Sequence, residues 1–135
     1  MSTIRIALAN LQFPDTPEHS VALAEHAIAL ASDERADIIC FPECFVPGYR
    51  AEGKRVPPPD PLFLERAWVR VAAAANAANV AVVLGTERVV EGALRISALV
   101  IDRDGSRAGF QDKVQLDPSE EASFSPGAER RVFQS

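Results

Sequence analysis

The chain has 135 residues, 47% of them apolar and 24% charged, and a formal net charge of −5. That length suits one domain of roughly 150 residues, and the apolar share is that of a chain with a packed core rather than a disordered one. The acidic balance speaks against nucleic acid, since the only adjacent basic pairs are Lys54-Arg55 and Arg130-Arg131 and phosphate recognition needs a basic stripe.

Cys40 and Cys44 are the only cysteines, too few and too close for a disulfide framework. The N-terminus lacks the charged and apolar regions of a signal peptide, and no run approaches the ~20 apolar residues that span a bilayer. A cytoplasmic protein with no membrane partner is expected.

In chain order, residues 4–9 read as a buried strand. Thr16 then offers a cap, Pro17 fits the first helical position and Glu18 suits the helix dipole. Val21, Ala24, Ile28 and Ala31 follow at helical spacing, and the pattern stops near Asp33. A second strand over 37–41 completes a βαβ unit, whose two strands should be parallel.

Residues 42–61 hold six prolines together with Gly48 and Gly53, a long loop of the functional or mobile kind. A second helix carries Leu64, Trp68, Val71, Ala75 and Ala78 on one stripe. Strands are expected over 80–85, 94–101 and 108–114, with turns at Gly92 and at Asp102 to Gly105. Residues 117–121 read as a loop, and Val132-Phe133-Gln134 as the start of a further strand.

The chain has no glycine-rich phosphate cradle. His19 and His26 lie about 10 Å apart along one helix, too far to share an ion, so no metal site is expected. Glu43 is different. It follows a parallel strand at the edge of the sheet where α/β proteins place their ligands. Strand alternation would put it on the side of Ile39 and Phe41. Lys113 ends a later strand and can reach the same edge. On position alone, a solvated strand-end glutamate explains Glu43 equally well.

Phe41-Pro42-Glu43, Gly48-Tyr49, Lys113-x-x-Leu116-x-Pro118-x-Glu120 and Phe124-Ser125-Pro126-Gly127 occur in that order. With the opening stretch from Ile4 to Gln12, they resemble the nitrilase, or carbon–nitrogen hydrolase, superfamily. The likeness runs over essentially the whole chain and covers about the first half of a family catalytic domain. It implies an α/β fold, the first half of a four-layer α-β-β-α sandwich, with one mixed sheet and two helices on one face. Residues 1–135 would then form an incomplete domain lacking its C-terminal half.

The resemblance also implies a chemistry. Family members act on small-molecule amides or nitriles through a Glu-Lys-Cys triad, with no metal or organic cofactor. Glu43 matches the base and Lys113 the lysine that stabilises the oxyanion. Glu120 matches a second, supporting glutamate, although Glu121 competes for that place. Tyr49 lies in a loop that would flank the substrate pocket. The family nucleophile follows the Phe-x-Pro-Gly segment and one further strand, so this chain carries none. Cys40 lies on the strand parity opposite Glu43, and Cys44 is the immediate neighbour of Glu43, pointing away.

The leading expectation is therefore a truncated carbon–nitrogen hydrolase, inactive as 135 residues. The alternatives are a non-catalytic half-domain that self-associates or serves as a regulatory partner, and an unrelated small α/β binding protein with a chance Glu/Lys pair. One sheet face left uncovered by the two helices predicts homo-oligomerisation or docking of the missing half.

Overall fold

The computed structural model describes residues 2–134. Thr16 caps the first helix, α1 (Pro17–Asp33), by accepting the His19 N–H at 3.0 Å. The expected stripe of Val21, Ala24, Ile28 and Ala31 is buried. The second helix, α2 (Pro61–Ala78), is capped by Asp60, whose carboxylate accepts the Leu62 and Phe63 N–H groups. Leu64, Trp68, Val71 and Ala75 form its buried face.

Five strands make one mixed sheet: β1 (Ile6–Leu8), β2 (Ile38–Cys40), β3 (Ala81–Val90), β4 (Ala93–Ile101) and β5 (Arg107–Asp112). They lie side by side in sequence order. β1, β2 and β3 run parallel, and the β3–β4 and β4–β5 pairs are antiparallel. β5 therefore points the same way as β2 and β3. Both helices pack on one face, where a single core joins Ile28, Leu64 and Val71 to Ile39, Val82, Leu84, Leu99 and Ile101. Trp68 closes this core with its ring edge-on to Phe110 and its indole N–H on Thr86 Oγ1 at 3.0 Å.

Four expectations need correction. The first strand is not buried: Ile6 is 55% and Leu8 78% exposed, because β1 is a sheet edge and the helices leave one face open. β3 runs on to Val90, because Glu91 and Gly92 both take the positive φ of a tight hairpin turn and let β4 pair along its whole length. Residues 117–121 are not a plain loop, since Pro118–Glu120 forms a 3-10 turn with an Asp117 capping box. Residues 132–134 form no strand. Beside β5 the Gln111 side chain takes the positions a ladder would use, donating to Glu129 O and accepting the Arg131 N–H.

In-register pairing places Leu8, Cys40, Val83 and Val100 in one row across four strands on the open face. Leu8 is 78% exposed and the other three are half-buried, an apolar stripe of the kind that marks a contact surface. The polypeptide of residues 1–135 on its own is expected to self-associate through this face. Sedimentation at micromolar concentration checks it: Leu8→Lys combined with Val100→Lys should shift the distribution toward monomer, and a parent that is already monomeric would refute the expectation.

Candidate active site

Glu43 is placed by a close backbone contact. Leaving β2, the chain turns at Pro42 and lies directly on β3, so that a Cβ built on Gly85 would stand 1.7 Å from the Pro42 carbonyl oxygen and 3.0 Å from Glu43 Cα. Only glycine admits that approach. Val46 extends the contact, donating its N–H to Gly85 O at 3.1 Å and accepting the Glu87 N–H at 3.2 Å. This turn also ends the strand alternation. Ile39 is buried in the core against the helices, whereas Glu43 lines a cleft on the open face with Val83, Gly85 and Ile96. The expected common side for Ile39 and Glu43 is thus corrected.

Lys113 follows β5 directly, and its N–H still bonds Ile96 O at 2.7 Å. Because β5 is parallel to β2, the residues following both strands fall at the same sheet edge. There Lys113 Nζ lies 2.9 Å from Glu43 Oε1 and 3.0 Å from Glu120 Oε1. Glu120 is buried in the 3-10 turn, where Oε1 also accepts the Tyr49 hydroxyl at 2.7 Å and Oε2 accepts the Asp117 N–H at 3.1 Å. The four residues singled out in the sequence are thereby brought together. Glu121, the competitor of Glu120, is exposed and lines a different surface hollow beside Leu116 and Phe124.

The electrostatics follow from these contacts. The Glu43 carboxylate, helped by Glu120, raises the Lys113 pKa against the opposing effect of burial, so the ammonium is fully charged at neutral pH. Burial disfavours the Glu120 anion, but the bonds from Tyr49, Lys113 and the Asp117 backbone outweigh it and lower the carboxyl below its ordinary value. The hydrogen bond to Glu120 pushes the Tyr49 phenol up to about 12. The cleft between Phe41, Glu43, Ile96 and Lys113 has a volume of about 250 Å³. On the other side of Glu43, a second hollow of about 320 Å³ is lined by Leu11, Phe13, Pro42, Phe45 and Tyr49.

Neither cysteine faces this cleft as a free thiolate. Cys44 is fully buried with Sγ 3.8 Å from Thr86 O, and burial together with the Glu87, Glu43 and Glu120 carboxylates raises its pKa. Burial raises Cys40 as well. Among the described residues, no group of three or more His, Cys, Asp or Glu is arranged to hold a metal ion, and no helix is long and apolar enough to cross a membrane.

The family model for carbon-nitrogen hydrolases matches residues 5–135. The chain belongs to the carbon-nitrogen hydrolase family. An amidase from Nesterenkonia sp. superposes with a TM-score of 0.82 at 29% identity, over 99% of this chain and 52% of the amidase. A cysteine-to-alanine mutant of the Nesterenkonia sp. AN1 amidase in complex with butyramide gives the same TM-score, 0.82, with 29% identity over 99% and 52% of the two chains. A glutamate-to-glutamine mutant of the AN1 amidase, showing the product of Michael addition of acrylamide at the active site cysteine, matches with a TM-score of 0.81 and 27% identity over 98% and 53%. The chain thus spans about half the length of the solved relatives it matches. No curated protein matches it.

Other site-building residues escaped the sequence reading. Asp112, beside Lys113, accepts Arg88 Nε at 2.7 Å, Arg95 at 2.9 Å and the Ser97 hydroxyl at 2.5 Å. Gly127 packs against it, for a Cβ there would meet Asp112 Cβ at 2.6 Å, which gives the Phe-Ser-Pro-Gly segment a structural reason for its glycine. Burial raises the Asp112 pKa, but Arg88, Ser97 and Arg95 outweigh it and leave the carboxyl well below the usual range. A lowered native pKa stabilises the fold above the unfolded value of ~4 and loses that contribution as pH falls below it. Asp112→Asn should therefore destabilise by about 3 kcal/mol at neutral pH, since it strands two arginines. It should also flatten the acid limb of a stability–pH curve measured by urea unfolding, and an unchanged acid limb would contradict this account.

Proposed function

We propose that this chain supplies the general base and the oxyanion-stabilising cation of a cysteine-dependent hydrolase of non-peptide amide or nitrile C–N bonds. The observation that carries the reading is Lys113 Nζ between Glu43 Oε1 at 2.9 Å and Glu120 Oε1 at 3.0 Å beside an open cleft. An ammonium has three N–H bonds, and the two carboxylates take two of them, so the third can meet a substrate oxygen.

For an amide, the reaction then runs in two steps. A cysteine thiol gives its proton to Glu43 and its sulfur bonds to the carbonyl carbon, while the C=O electron pair moves onto oxygen and is stabilised by Lys113. Glu43 returns the proton to the amide nitrogen, the C–N bond breaks and a thioester remains. Water then gives a proton to Glu43 as its oxygen bonds to the thioester carbon; the C–S bond breaks, the acid leaves, and Glu43 returns the proton to sulfur. Glu120 has a distinct part. When Glu43 becomes neutral, the buried Glu120 carboxylate still neutralises Lys113, so the cation keeps its position and charge through every proton transfer.

Two observations bear on the remaining components. Cys44 and Cys40 both have raised thiol pKa values, which argues against either as nucleophile. The nucleophile is assigned to a cysteine outside residues 1–135. The butyramide and acrylamide bound by the Nesterenkonia amidase support small acyl amides as the substrate class.

In a polypeptide that carries the nucleophile, Glu43→Gln and Lys113→Ala should each lower kcat for a small aliphatic amide by roughly 100-fold or more. Cys44→Ala should leave turnover intact. Residues 1–135 alone should show no turnover, and an activity of that polypeptide abolished by Cys44→Ala would make Cys44 the nucleophile instead.

A further inference from the structure

Arg50 and Glu87 have no part in the chemistry above, yet among the described residues they form the most deeply buried ion pair. Glu87 is 0% exposed, and its two oxygens accept Arg50 Nε at 2.9 Å and Nη2 at 2.8 Å. The same guanidinium donates to Pro57 O at 2.8 Å and Val56 O at 3.3 Å, at the far end of the proline-rich loop. One side chain thereby ties that loop to β3 at two places along its length. The residue before it is Tyr49, whose hydroxyl donates to Glu120.

Besides the Cys44 Sγ contact with Thr86 O, two stronger fastenings hold segment 42–50 to β3. Near Glu43 the fastening is the backbone exchange of Val46 with Gly85 and Glu87. Near Tyr49 it is the two-pronged Arg50–Glu87 contact. A buried ion pair adds little net stability compared with an apolar replacement of similar volume. What a planar fork on a carboxylate does supply is a fixed distance and direction.

We propose that Arg50 and Glu87 are positioning residues for the site: their two-point contact fixes the backbone at Tyr49 and so aims the hydroxyl that holds Glu120 against Lys113. The inference rests on the proposed role of Glu43, Lys113 and Glu120. Tyr49 is the chain's only tyrosine, so a tyrosinate titration reads this one phenol. The groups facing it are Glu120, which accepts its hydrogen bond, and the charges of Glu43 and Lys113.

Tyrosinate absorbance titrations of the parent and three variants test the proposal. Arg50→Lys keeps the charge beside Glu87 and loses the fork. Arg50→Met combined with Glu87→Leu removes both charges and keeps the volume. In either variant, with parental far-ultraviolet circular dichroism, the Tyr49 midpoint should fall from about 12 toward the ordinary ~10. A parental midpoint in the folded variants overturns the proposal, because a purely structural pair would leave the phenol where it was. Failure of both variants to fold overturns it too, since the pair would then be a stability element. Glu120→Gln separates the two readings. Its midpoint must also fall, and if it does not, the Tyr49–Glu120 contact and the site built on it fail independently of the clamp.

Discussion

A lysine held between two carboxylates governs this end of the molecule. Lys113, Glu43 and Glu120 together carry one excess negative charge, and each would be costly to desolvate alone. Placed within 3.0 Å of the ammonium, the carboxylates keep it charged, and it keeps Glu120 ionised although that group is buried. The irregular backbone around them has the same purpose. The turn after β2, the 3-10 turn over Pro118–Glu120 and the Phe124-to-Gly127 segment each bring one group or its support to a fixed place.

The sheet topology makes that meeting possible. Glu43 and Lys113 are seventy residues apart. They share an edge because two antiparallel steps, from β3 to β4 and from β4 to β5, restore the direction of β2. A single hairpin would have sent Lys113 to the opposite end. The Gly85 approach then sets the depth of Glu43, and the ladder-like bond from Lys113 N–H to Ile96 O sets that of the lysine.

Much of this was legible in the residues, and for local reasons. Thr16 and Pro17 announce α1, and the 3.6-residue stripe names its buried face, because caps and amphipathic spacing depend only on near neighbours. Gly92 and Gly105 mark turns that do require positive φ. Glu43 and Lys113 stood out because strand ends collect ligands and because the surrounding motifs resembled a family. What escaped was long-range. Arg50 meets Glu87 across thirty-seven residues, and nothing near either predicts the other, although a glutamate within the apolar β3 stretch was a readable anomaly. The exposure of β1 escaped for the converse reason: an apolar run looks the same whether its strand is central or at an uncovered edge.

The site and the uncovered face are one problem. The cleft beside Glu43 is walled by Val83, Gly85 and Ile96, and Val83 belongs to the same apolar row as Leu8, Cys40 and Val100. A surface that buried this row as far as Val83 would border the cleft and withdraw water from it. Removing water strengthens every charge interaction inside, including the one that Lys113 would offer a developing oxyanion. Burial of that face would thus reach the ammonium too, since less water beside Lys113 means a stronger pull on negative charge.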